Sequence, residues 1–193
     1  NDTILGVLYS DDVLRELNQR ESSTLYDFAG LHAEEAVDDD VESKVGHRYQ
    51  WLLTNLATAF LASFVVSMFD ETISKYVLLA VYMPIVAGMG GNAVTQTLAV
   101  LVRGISQGQI DLHTAMPTLR REVGAGLVNG IINGAVVFII VLLFNKDMGV
   151  AFVLAMAMII NLVVAGFFGT LVPLIMKRLG KDPATSATIF ITT

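Results

Sequence analysis

The chain has 193 residues, 54% of them hydrophobic and only 16% charged, and its mean hydropathy of +0.63 excludes an ordinary soluble domain. Its net charge of −6 is unevenly spread: residues 1–50 carry 4 Lys and Arg against 12 Asp and Glu, whereas residues 51–193 carry 8 against 6, so two different solvents are implied. The lack of cysteine excludes disulfides and thiolate metal sites. No GxxxxGKS or GxxxxGKT run is present, and the glycine-rich MGGNAV segment has no lysine after it and no strand before it, so neither an ATPase nor any other enzyme is expected, nor a nucleic-acid partner.

In chain order, ILGVLY at residues 4–9 reads as a short strand, and Asp11-Asp12 opens a capped helix behind it; a lone strand needs sheet partners, so this is expected to be the tail of a larger soluble domain. The acidic run EEAVDDD, residues 34–40, leaves two readings open. It is the solvated start of a helix, or a cation sensor whose clustered carboxylates repel one another until a divalent ion neutralises them. VESKVGHRYQ is then expected to lead as a helix straight into the first apolar segment.

Apolar segments at 51–69, 77–102, 123–144 and 149–176 are each long enough to cross a hydrocarbon core of roughly 30 Å at about 1.5 Å per residue. A fifth begins at Pro183 and is followed only to Thr193, so the sequence is expected to be part of a longer chain. The fold class predicted is an all-α polytopic helical bundle of four complete spans and the start of a fifth. Arg103, Arg120 and Arg121 between the second and third spans, Lys177, Arg178 and Lys181 after the fourth, and Lys44 and Arg48 before the first place those loops and the N-terminus in the cytoplasm by the positive-inside rule.

The second span carries the strongest functional signal. MPIVAGMGGNAVTQTLAVLVRG, residues 83–104, sets a proline, glycines and amide side chains inside an apolar run. Lipid offers backbone groups no hydrogen bonds, so loosened helix at this depth is expected only beside protein or water. The expectation is an ion pathway in which carbonyls freed around Gly88, Gly90 and Gly91 join the amides of Asn92 and Gln96 as neutral oxygens for a hard, hydrated cation. Selectivity for a divalent ion calls for a carboxylate as well, and no complete span supplies one at its centre.

The third span carries Gly126, Gly130 and Gly134 at four-residue spacing beside Asn129 and Asn133, a pattern read as close helix packing with amides bonding across the contact, rather than as pore lining. Asn161, Ala165, Gly166 and Gly169 on the fourth span read as a second seam. Glu122 is expected to pair with Arg120 or Arg121 at the mouth of the third span, with ion attraction as the alternative. His32, His47 and His113 form no ligand cluster, and the eight methionines lack the paired repeats of soft-metal transport.

Taken together, NLATAFLASFVVSMF, PIVAGMGGNAVTQTLAVLVRG, REVGAGLVNGIINGA, NLVVAGFFGTLVPLIMKRLGKDPA and the terminal FITT resemble the MgtE family of magnesium channels, block by block and in the family's order. The resemblance implies that residues 1–22 are the tail of a cytoplasmic CBS module, 23–50 a connecting plug helix, and 51–193 the ion-conducting domain. It implies a homodimer in the lipid of the bacterial plasma membrane, with Mg²⁺ as both substrate and regulator. It places Gly88, Gly91, Asn92 and Gln96 of the second span, with Thr188 and Thr192 of the fifth, along the ion pathway, Asn92 meeting Mg²⁺ through bound water. The family's pore aspartate falls three residues beyond the Thr192-Thr193 pair. Asp182, with Asp38, Asp39 and Asp40, resembles the positions where regulatory Mg²⁺ bridges the soluble and membrane parts and closes the gate. The rival readings are a secondary divalent-cation transporter working by alternating access and a packing subunit whose glycine faces only contact other helices.

Overall fold

The computed structural model describes residues 9–11, 35–110 and 115–180. Of the strand expected at 4–9, residues 4–8 lie outside the described residues, as do the site residues Asp182, Thr188 and Thr192. The chain divides into two compact units, Asn1–Thr54 and Asn55–Thr193.

All regular structure among the described residues is helical: α1 (Val41–Ser67), α2 (Asp70–Lys75), α3 (Val77–Ser106), α4 (Ala115–Asn145) and α5 (Met148–Arg178). The four long helices are each long and apolar enough to cross a membrane, as the hydropathy predicts. VESKVGHRYQ does continue into the first span as one helix. Between the first two spans the short α2 forms, with Asp70 and Glu71 in its first turn and Lys75 in its last, charges that suit the helix dipole at both ends.

In the first unit, α1 starts in an orderly way. Asp40 Oδ1 accepts from the Ser43 amide at 3.0 Å, Asp39 Oδ2 accepts from the Ala36 amide at 2.8 Å, and Lys44 Nζ donates to the Val37 carbonyl at 2.6 Å. Glu35 is buried and takes the Arg48 guanidinium, with Nε 2.8 Å from its Oε1 and Nη2 on the same oxygen. That bond holds the Glu35 carboxyl below its ordinary value of 4.5. A carboxylate whose pKa is lower in the folded state stabilises it fully above the unfolded value, and the gain is lost as pH falls through the folded value. Protection of the amides in segment 35–40, taken as exchange relative to the intrinsic rate at each pH, is therefore expected to hold steady from pH 7 down to the ordinary carboxylate range and to fall below it. Arg48→Gln should loosen the segment at neutral pH and flatten that pH dependence; a variant indistinguishable from the parent would show that the ion pair does not hold the segment.

In the second unit, α5 is the hub. α4 packs along it and α3 lies against its other flank. The α4–α5 connection is only Lys146-Asp147: Lys146 takes a left-handed φ of 55°, and Asp147 Oδ1 caps α5 by accepting from the Val150 amide at 3.0 Å. The tight turn makes the two helices antiparallel neighbours, and the glycine stripe then lets them close up. A Cβ built at Gly126 would lie 2.5 Å from the Leu162 carbonyl oxygen, at Gly130 2.9 Å from Ile159 Cα, and at Gly134 2.9 Å from the Ala155 carbonyl oxygen. No side chain fits there, which bears out close packing for this stripe. Asn133, expected to bond across the contact, instead donates to the Asn129 carbonyl of its own helix at 2.8 Å.

Candidate functional site

The second span departs from expectation in one respect that matters. α3 runs without interruption from Val77 to Ser106, through Pro84 and all three central glycines. Carbonyls around Gly88 to Gly91 are therefore spent on the helix ladder, and the Gly91 carbonyl also accepts from Thr95 Oγ1 at 2.8 Å. The one built-in gap is at Ala80, whose carbonyl faces Pro84, a residue with no amide hydrogen to give. Freed main-chain oxygens are thus replaced by side-chain oxygens and small residues as what this face can offer an ion.

The helix sorts its residues by face. Gly90, Val94, Thr97, Leu98 and Leu101 are buried against the bundle. Gly88, Gly91, Asn92 and Gln96 are exposed, together with Thr95. These five recur at three- and four-residue spacing, so they form one stripe along the helix. The four predicted residues of this span are thereby brought onto a common surface, while Gly90 is separated from them. Asn161 of α5 explains why: its Nδ2 donates to the Val86 carbonyl at 2.5 Å, and a Cβ at Gly90 would lie 2.6 Å from its Oδ1. Gly90 therefore makes room for an amide that ties α3 to α5. Asn161, Ala165, Gly166 and Gly169 do form the seam expected of them: Ala165, Gly166 and Gly169 are buried, and a Cβ at Gly169 would meet Thr97 Cβ at 3.1 Å.

Two polar bonds join α3 to α4. Near one end Tyr82 Oη donates to Asn145 Oδ1 at 2.6 Å, and near the other Thr97 Oγ1 donates to Glu122 Oε2 at 3.0 Å. Among the described residues no ion pair links Glu122 to Arg120 or Arg121, so the expected interfacial salt bridge is replaced by a hydroxyl from the neighbouring helix. The glycines of α4 and α5, not the arginines of α4, determine this. Gly126 and Gly166 bring α4 and α5 together until a Cβ at Gly166 would sit 2.7 Å from the Glu122 carbonyl oxygen, and this presents Glu122 to α3.

Around this bond is a recess of about 140 Å³, to which α3 contributes Gln96 and Thr97, α4 Glu122, Gly126 and Asn129, and α5 Gly166. Sequence reasoning missed Thr97 as a partner for Glu122. A carboxylate at the mouth of an apolar span was the available signal.

The acidic candidates belong to the first unit. Asp38 and Asp40 are exposed and Asp39 is half-buried, with Asp39 and Asp40 engaged in the local backbone bonds described above. Among the described residues no three His, Asp or Glu side chains gather to hold a metal ion.

Long apolar helices that keep a polar stripe and a carboxylate-lined recess between them define a multi-pass membrane protein with hydrophilic groups at membrane depth. Comparison with known proteins agrees: the MgtE family, described as a divalent cation transporter, matches residues 83–193. The chain belongs to the MgtE family. It is 31% identical over its full 193 residues to a magnesium transporter MgtE of Enterococcus faecalis, of which it covers 42%. It is 26% identical over the same span to one of Bacillus subtilis, covering 43%, and 24% identical over 189 residues to one of Thermus thermophilus, covering 40%. The chain thus spans about two fifths of the length of these relatives.

Proposed function

We propose that this chain is the membrane portion of a Mg²⁺ channel of the bacterial plasma membrane, with its N-terminus in the cytoplasm and a second copy completing the pore. The observation that carries the reading is the exposed stripe of Gly88, Gly91, Asn92, Thr95 and Gln96 on an otherwise apolar helix. An amide turned to hydrocarbon costs several kcal/mol. Facing a twin helix across a two-fold axis, the same amides line a wet path instead, and the glycines keep it wide. Mg²⁺ dehydrates reluctantly, so amide oxygens that bond to its water shell suit it better than a tight cage. The membrane potential draws a cation inward by roughly 2.3 kcal/mol per charge per 100 mV, doubled for a divalent ion, so conduction needs no catalytic step.

Regulation belongs to the same proposal. Cytoplasmic Mg²⁺ neutralises the acidic run that includes Asp38, Asp39 and Asp40 and favours the closed state; when internal Mg²⁺ falls, carboxylate repulsion shifts the population towards opening. The support is the carboxylate run itself, placed at the start of the helix that becomes the first span.

The test uses the full-length protein in liposomes. Asn92→Leu, on an exposed face, is expected to leave the folded protein intact and to cut voltage-driven Mg²⁺ influx at least tenfold. Influx equal to the parent's would remove the pathway from this face.

A further inference from the structure

Glu122 is a carboxylate between three apolar helices, and the hydroxyl of Thr97 satisfies only one of its oxygens. Its recess is lined on α4 and α5 by Gly126 and Gly166, which carry no side chain and let the two helix backbones approach closely. The other polar groups at its edge are the amides of Gln96 and Asn129, both exposed. One negative charge, three neutral oxygen-bearing groups and no basic side chain face a volume of about 140 Å³. That is room for several waters. This donor set does not suit an anion, nor does it provide the full cage of oxygens that Ca²⁺ takes. It matches the way Mg²⁺ is usually held, by one or two carboxylates with most of its waters retained.

We propose that the recess holds a partly hydrated divalent cation, bound by Glu122 and steadied by the Gln96 and Asn129 amides, and that it passes this ion to and from the Asn92 stripe. Gln96 belongs to both surfaces and lies one helical turn from Asn92 on the same face. The recess thereby supplies the fixed negative charge that the neutral stripe lacks, and Thr97 acts as a positioning residue that fixes the carboxylate's direction. The hand-over to the stripe rests on the channel reading above; binding in the recess does not.

The test takes the full-length protein in lipid nanodiscs and uses Mn²⁺ as the probe, counting bound ions from the loss of the free aqueous Mn²⁺ resonance signal. Glu122→Gln removes the charge and can still accept from Thr97. Ala125→Leu, at an exposed position on the recess wall, fills the space and leaves the Glu122–Thr97 bond in place. Each variant is expected to bind one Mn²⁺ fewer per subunit than the parent, and Mg²⁺ is expected to displace that ion in the parent. In liposomes, the Mg²⁺ concentration for half-maximal influx should rise about tenfold in both variants, with influx persisting at saturating Mg²⁺. An undiminished Mn²⁺ count in either variant, or displacement by Na⁺ but not by Mg²⁺, overturns the site. A lost ion with unchanged half-maximal concentration overturns the hand-over. Should Asn92→Leu leave influx intact while both recess variants still lose their Mn²⁺, the channel reading fails and the binding site stands.

Discussion

Gly130→Val is expected to destabilise the membrane domain by about 1–3 kcal/mol, the usual cost of forcing atoms into a packed core. A Cβ there would stand 2.9 Å from Ile159 Cα and 3.2 Å from the Ile159 carbonyl oxygen, and both are main-chain atoms of α5. A flexible side chain could turn aside, but a helix backbone moves only as a whole. Valine adds two methyl groups to a contact that does not admit one carbon, so α4 and α5 must separate. The separation spreads along the seam because Gly126 and Gly134 sit at the same interface one turn either way. Unfolding in graded mixed micelles gives the measurement, with Gly124→Ala as the reference, since nothing lies within 4 Å of a Cβ at Gly124. Equal stabilities of Gly130→Val and the reference would mean that the two helices do not meet at this distance.

Gly91→Leu is expected to do the reverse, sparing stability and abolishing transport. Nothing lies within 4 Å of a Cβ at Gly91 or at Gly88, although both are in the middle of a long helix. Leucine is a better helix former than glycine, by somewhat less than the roughly 0.8–1.0 kcal/mol that separates glycine from alanine, so the folded chain should be at least as stable. On the proposed pore face, the added side chain from each of two copies narrows the path and replaces an open surface with hydrocarbon. Mg²⁺ influx in liposomes should drop at least tenfold with no loss of resistance to unfolding. Unchanged influx would place this face against lipid. The pair of glycine variants separates the two uses of glycine in this molecule, close approach in α4 and an open surface in α3.

These contrasts show where sequence reasoning reached and where it stopped. The membrane spans were legible because each is set by a local quantity, a run of apolar residues long enough for a bilayer. The family was legible too, because several blocks of residues recur in order. The α4 glycine stripe was legible as packing because its period matches one helix face. In α3 the same residue type was ambiguous. Gly88, Gly90 and Gly91 are neighbours in sequence, yet successive helical positions are turned by about 100°, so adjacent glycines face different surroundings. Only the amide of Asn161 on α5, filling the space at Gly90, assigns that glycine to packing and leaves the other two outside.

The expectation of a loosened helix at Gly88–Gly91 came from treating glycine and proline as breakers. In the folded chain the contacts of α3 with α5 outweigh that weak local preference, and the helix stays whole. Glu122 illustrates the same limit. Its sequence neighbours Arg120 and Arg121 suggested an ion pair, but the close approach of α4 to α5 presents it to a hydroxyl 25 residues earlier in the chain. By itself the sequence determined that the chain is a bundle of membrane-spanning helices of the MgtE family and named the polar residues of its second span. The tertiary structure decided which of those residues share a surface and which partner the Glu122 carboxylate takes, because facing and partnership depend on the helix packed alongside, and no local pattern encodes that.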